Sequence, residues 1–239
     1  MCEAAVSNGI DAIVFTSSVA IYGFAEPNTG EDGIPNYFNE YGKTKLAAEQ
    51  VYLQWQAGDP QNRSLTIVRP TVIFGPGNRG NVYNLLKQIS GGRFAMFGDG
   101  RNVKSMAYVE NVAKFLVQCI REKPGVHVYN YVDKPDLSMN ELVQIVRKTL
   151  FNKTGVGPRL PRSFGFAMGL GFDLVAFLTR RSFPVSSIRV KKFMATTQFS
   201  SAVPETGFKA PYTLAEGLEK TLRYEFLEDN RDKPTYETE

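Results

Sequence analysis

The sequence is poor in the residues that build metal and redox centres. Its 239 residues hold two cysteines, one histidine and one tryptophan. Cys2 and Cys119 form no disulfide framework, and a lone His127 leaves no cluster for a zinc site. Such cysteine usage suits a reducing compartment, and a cytoplasmic location is expected. His127 falls in the strand-like run Val126–Val132, where packing or an edge position is expected of it rather than catalysis. No basic flank followed by a long apolar run opens the chain, so no secretory leader is expected. The most apolar stretch, Phe164 to Leu178, contains Asp173 and is too short to span a bilayer. A helix in a hydrophobic lobe is expected there, with no membrane partner. Charge of one sign is also missing. The 28 basic and 24 acidic residues leave a net +4, and the basic ones are scattered. The densest groups are Arg180-Arg181 and Arg189 with Lys191-Lys192, so no nucleic-acid partner is indicated. There is no internal repeat.

What is present reads as an α/β chain. Hydrophobic residues make up 43% of it, enough for a substantial core. Ala12–Phe15 is a short continuous apolar run with β-branched residues, as in parallel strands covered on both faces, and Leu65-Thr-Ile-Val68 reads as a second buried strand. Val126–Val132 is a third strand. Helices are expected up to Asn8-Gly9, from Tyr41 to about Gln56, over Asn81–Ser90 and over Val109–Arg121. Ser138-x-x-Glu141 and Thr213-x-x-Glu216 are capping boxes that open two more. Phe94–Phe97 is a short strand. A mostly helical lobe is expected from about Leu160 to Thr197, and a frayed, charged tail after Phe226. Strands alternating with helices imply a parallel sheet.

Within this frame Tyr41 and Lys45 stand one helical turn apart on one face. A free phenol ionises near pH ~10. A cation about 4 Å away is worth roughly 4 kcal/mol at an effective dielectric of about 20. That is about three pKa units, enough to bring such a group toward pH ~7, where a general base works best. The same spacing also occurs on solvated helix faces, so the pair gains its meaning from its neighbours.

Three motifs stand in order: Thr16-Ser17-Ser18 with Tyr22-Gly23, Tyr41-x-x-x-Lys45, and Arg69-Pro70 leading to Phe74-Gly75-Pro76-Gly77. With Phe97–Gly100 and Ala107–Ala113, they resemble the extended short-chain dehydrogenase/reductase family, in particular its nucleotide-sugar epimerases and dehydratases. The resemblance implies a partial Rossmann-type parallel sheet and a C-terminal, mostly helical substrate-binding lobe. Residues 1–75 would be the C-terminal part of the Rossmann-type domain. Residues 76–239 would be the substrate-binding region, interleaved with the last sheet strand at about 126–132.

The family's roles carry over position by position. Ser18, Tyr41 and Lys45 would be catalytic: Ser18 holds the reacting oxygen, Tyr41 is the acid/base, and Lys45 binds the nicotinamide ribose and assists the phenol. Thr16 and Ser17 would lie along the cofactor, and Pro70 and Val72 would border the nicotinamide. Asn81 and Val82 begin the substrate helix, Ala95 and Phe97 line the nucleotide base, and Lys104 meets the diphosphate. The implied cofactor is NAD, with NADP left open. The implied partner is a nucleotide sugar, and a homodimer is possible. The implied reaction removes hydride from a sugar carbon and returns it to the other face. Each residue has a plainer reading: a strand-end cap for Ser18, a helix N-cap for Asn81, strand packing for Ala95 and Phe97.

The departures are informative. Val19 and Ala20 occupy the positions where dehydratases of the family carry an acidic pair, so dehydration is disfavoured. Lys104 replaces the usual arginine and loses its bidentate fork. The family's opening strand and Gly-rich phosphate loop do not precede Met1. Gly75-Pro-Gly77-Asn-Arg-Gly80 formally matches G-x-G-x-x-G, with Asp99 downstream, but Pro76 removes a backbone N–H that a phosphate loop uses. It reads better as the substrate loop. Two other readings stay open: a dehydrogenase or reductase of another alcohol or carbonyl compound, and a chain that is inactive or needs a partner.

Overall fold

The computed structural model describes residues 1–92, 94–161, 163–164, 195–230 and 232–236. Almost all of the expected helical lobe, with Arg180, Arg181, Arg189, Lys191 and Lys192, lies outside the described residues. The chain divides into two compact units.

The first unit comprises Met1–Gly75, Ser105–Asp136 and Gln198–Gly217. Its centre is a parallel sheet in the order β1-β2-β7, formed by Ala12–Thr16 (β1), Ser64–Pro70 (β2) and Gly125–Tyr131 (β7). Every residue of β2 is buried, as the central strand of a doubly covered sheet requires. Alternating side chains face opposite layers. Leu65 and Ile67 meet Trp55 and Ala5, from helices Glu40–Ala57 (α2) and Cys2–Ser7 (α1). Val68 meets Val112, Phe115 and Cys119 of helix Val109–Cys119 (α4) on the other face. Full burial of each such side chain contributes about 1.5–3 kcal/mol. A second parallel pair joins Val72–Phe74 (β3) to Met106–Tyr108 (β6). His127 is half-buried on β7, its Nε2 2.9 Å from the Lys123 carbonyl.

The second unit comprises Pro76–Lys104, Leu137–Thr197 and Leu218–Glu239. It holds helices Asn81–Ser90 (α3) and Met139–Phe151 (α5) and two short strand pairs. Met96–Phe97 (β4) runs parallel to Arg159–Leu160 (β9), and Val103–Lys104 (β5) antiparallel to Leu137–Ser138 (β8). The Ser138/Glu141 capping box closes in both directions. Thr213 and Glu216 exchange the corresponding bonds before the last helix, Leu214–Phe226 (α6). The tail departs from the expected fraying. Tyr236 donates its N–H to Gly77 O and accepts from Arg79 N–H, both at 2.8 Å, adding a backbone rung to the loop before α3. Charge had suggested a solvated end, but backbone pairing does not depend on side-chain polarity.

Candidate active site

Ligands of open α/β sheets bind beyond the carboxyl ends of the parallel strands. At that end of β1 the chain runs through Thr16, Ser17 and Ser18 into a 3-10 turn, Val19–Tyr22. Ser18 is half-buried, and its Oγ caps the turn by accepting from Ala20 N–H at 3.1 Å. As a hydroxyl it keeps its own proton to donate. Ser17 extends the ladder, donating its N–H to Val68 O at 2.7 Å.

Helix α2 brings the pair to this end. Asn39 caps it by accepting from Gly42 N–H at 2.9 Å. Gly42, between Tyr41 and Lys45, is the point of closest approach: a Cβ there would lie 2.5 Å from the Ala20 carbonyl oxygen. Only glycine lets the first turn of α2 rest on the turn that Ser18 caps. Lys45 Nζ donates to the Thr16 carbonyl at 2.8 Å and lies 5.8 Å from the centre of the Tyr41 ring. It also lies 5.3 Å from the centre of the Phe15 ring, and Phe15 packs against Tyr52 of the same helix. The Tyr41 side chain is open to solvent, 52% exposed. At the end of β2, Pro70 is buried opposite Tyr131, and Val72 follows on β3, 38% exposed. Thr16, Ser17, Ser18, Tyr41, Lys45, Pro70 and Val72 are thus all in the first unit, with Lys45 joining Thr16 and Tyr41.

The site rests on a buried polar network that the sequence reading missed. Arg69 of β2 donates Nε to Glu49 Oε1 at 2.9 Å and Nη2 to Glu49 Oε2 at 2.7 Å. Its Nη1 donates to Tyr22 Oη at 2.6 Å, and Tyr22 donates onward to Asn130 Oδ1 at 3.0 Å. Burial pushes the Tyr22 phenol up despite the Arg69 cation. Burial works against the Arg69 guanidinium, but the Glu49 carboxylate and Tyr22 outweigh it, so its pKa stands above the ordinary arginine value. Glu31 closes the group, accepting from Asn130 N–H and Ala202 N–H, each at 2.8 Å. One signal was available: an arginine directly after Ile67-Val68, in a strand expected to be buried, requires a buried partner.

In the second unit, α3 is capped by Gly80, so Asn81 is its first residue and not its cap. Asn81 is exposed, and Val82 is buried in that unit's core. Ala95 and Phe97 are half-buried on either side of buried Met96. Lys104 lies on β5, and burial lowers its ammonium to about 8. The G-x-G-x-x-G look-alike spends its N–H groups internally. Gly77 donates to Glu225 Oε1 at 2.7 Å, Gly80 to Asn78 Oδ1 at 2.9 Å and Arg79 to Tyr236 O.

The residues at the first unit's site fit a ribose-bearing dinucleotide. Lys45 has donors beyond the one given to Thr16, and the buried Ser17 Oγ has no hydrogen-bond partner. Among the described residues no group of three or more His, Cys, Asp or Glu side chains is placed to hold a metal ion, and no helix is long and apolar enough to cross a membrane.

A parallel Rossmann-like sheet with a serine at one strand end and a Tyr-x-x-x-Lys helix beside it defines the short-chain dehydrogenase class of architecture. The model of the NAD dependent epimerase/dehydratase family matches residues 1–131, and the chain belongs to that family. It is 51% identical, over 97% of its length and 70% of the relative's, to an N-acetyl-α-D-glucosaminyl-diphospho-ditrans,octacis-undecaprenol 4-epimerase of Escherichia coli O157:H7. It is 26% identical, over 97% of its length and 68% of the relative's, to a UDP-glucose 4-epimerase of Vibrio cholerae. In fold it is similar to the UDP-glucuronic acid 4-epimerase of Bacillus cereus, solved with NAD, at a TM-score of 0.65 and 18% identity. That match takes in 93% of this chain and 64% of the solved one.

Proposed function

We propose that the chain carries the catalytic and sugar-binding part of an NAD-dependent 4-epimerase whose substrate is a sugar held on a diphosphate. The observation that carries this reading is the Lys45 ammonium, which sits on the Thr16 carbonyl and over the Tyr41 ring at once. The 51% identity to a 4-epimerase supports it. When bound, NAD supplies a reversible acceptor for the electrons taken from the sugar carbon. The chain's own residues handle binding and the proton. Tyr41 Oη takes the proton from the sugar hydroxyl and later returns it. Ser18 donates to the same oxygen. Lys45 holds ribose hydroxyls and favours the charge that develops on the phenol oxygen. Pro70 and Val72 form the wall against the nicotinamide, and Ser17 Oγ is a further donor to the cofactor.

Asn81 offers its side chain to the sugar. Val82, whose side chain is buried, offers a backbone N–H of the helix's first turn. Lys104 attracts the diphosphate. With Val19 and Ala20 after Ser18 there is no acid to expel water, which favours epimerisation over dehydration.

The carrier on the diphosphate is read as a polyprenol, because the relative at 51% identity is named for that substrate and the UDP-glucose enzyme is at 26%. A nucleotide sugar is the second reading, favoured by half-buried Ala95 and Phe97, which could border a base. The test supplies NAD with either N-acetylglucosaminyl-diphospho-polyprenol or UDP-N-acetylglucosamine and measures the C4 epimer by chromatography. Turnover of the first, falling at least ~100-fold in Tyr41→Phe with NAD binding retained, is expected. No turnover of either substrate by a chain that binds NAD removes the proposal.

A further inference from the structure

In the first unit, Lys114, Val117 and Gln118 share one face in the second half of α4, and Arg121 follows just past the helix's C-cap, Ile120. With Phe208, Lys209 and Pro211 they line a pocket of about 330 Å³. The lining holds three cations and no carboxylate. None of the three cations belongs to an ion pair among the described residues. Of the two acids close to these cations in sequence, Glu110 accepts from Tyr108 Oη and Glu122 lies 3.5 Å from Tyr129 Oη. The pocket also has an apolar side. Phe208 is anchored edge-on against Phe115, and Val117 and nearby Ile120 are each 60% exposed. Like charges gathered without counter-ions repel one another, and an anion seated among them relieves that repulsion.

We propose that this pocket binds the phosphate head group of an anionic phospholipid and seats the enzyme on a bilayer surface. Lys114, Arg121 and Lys209 take the phosphate, while Val117, Phe208 and Pro211 meet the glycerol and the first acyl carbons. The choice of lipid over free phosphate rests on the apolar lining and on the reading that the sugar is carried by a polyprenyl diphosphate, a bilayer lipid. A peripheral site needs no spanning segment, so the expectation of no membrane partner, drawn from the lack of such a segment, does not bear on it.

The test sediments the full chain, without substrate, with vesicles of phosphatidylcholine alone or with one third phosphatidylglycerol, and titrates inorganic phosphate separately. Binding to the anionic vesicles only is expected, weakening as salt is raised. Each basic residue near such a surface is worth roughly fivefold in partitioning, so Lys114→Gln/Arg121→Gln/Lys209→Gln should bind about a hundredfold less tightly. These side chains are at the surface, and an unchanged melting temperature certifies the variant. Equal binding to both vesicle types, equal binding by the variant, or saturation by inorganic phosphate without vesicle binding overturns the proposal. Because the readout is sedimentation without substrate, its failure leaves the epimerase reading standing, and lack of turnover removes the polyprenol ground for choosing a lipid without changing what the vesicles report.

Discussion

Arg69 meets Glu49 face to face, with two parallel hydrogen bonds of 2.9 and 2.7 Å joining the central strand to the helix that carries Tyr41 and Lys45. Glu49 is 1% exposed and Arg69 8%. Removing one partner strands a buried charge, which costs about 3–5 kcal/mol. Glu49→Ala is therefore expected to lower unfolding free energy by that amount in urea denaturation. The double variant Glu49→Met/Arg69→Met should lose much less than the sum of the single variants. Additive losses would mean that the contact is not the anchor of α2.

Gly42 yields a sharper test of the site's geometry. A methyl group there meets the Ala20 carbonyl at 2.5 Å, and one of the two segments must shift. Overpacking of this kind costs about 1–3 kcal/mol. Because the shift falls between Ser18 and Tyr41, Gly42→Ala is expected to depress kcat by more than tenfold while NAD affinity changes little. Steady-state kinetics beside a cofactor titration would separate the two effects.

Lys104 gives a pH dependence with a definite sign. Burial lowers its ammonium from the ordinary value to about 8, so the folded state holds fewer protons than the unfolded one between that pH and the ordinary lysine value of ~10.4. Its unfavourable contribution is full below about 8 and fades as pH rises through that window, so stability increases with pH there. A bound diphosphate favours the charged amine. KM for a diphosphate-linked sugar should therefore rise between pH 7 and pH 9, and Lys104→Met should flatten that profile. An unchanged profile in the variant would remove Lys104 from the substrate site.

The tail predicts a contrast between a side chain and its backbone. Tyr236 is 64% exposed, but its N–H and C=O hold Gly77 and Arg79. Tyr236→Ala should leave KM for the sugar substrate within about twofold, because nothing in the backbone pairing is lost. Ending the chain at Asp232 should raise KM several-fold with little change in melting temperature. Equal effects of the two changes would show that the pairing does not hold the loop.

The parts of this molecule legible in the sequence are those governed by local chemistry. The Ser138 and Thr213 capping boxes, the end of α2 at Gly58, and the apolar cores of β1 and β2 are set by neighbours within a few positions. The Tyr41/Lys45 pair was visible because four residues along a helix always share a face. The Arg69 network was not, because its members are separated by 20, 47, 108 and up to 171 positions. Glu49 in particular looks like one more solvated helix carboxylate. Strands of two residues, such as β5 and β8, are too short to show any period. The tail misled because its composition describes its side chains, while its fixing bonds come from its backbone.

The rung between Tyr236 and the 77–79 loop also bears on how this fold can be recombined. Three of the loop's N–H groups are committed, one each to the tail, Glu225 and Asn78. A chimera that imports a relative's 76–80 loop to change the sugar accepted must import that relative's counterparts of Glu225 and of 234–236 with it. The loop and the tail are inherited as one cassette, although nearly the whole second unit lies between them in the chain.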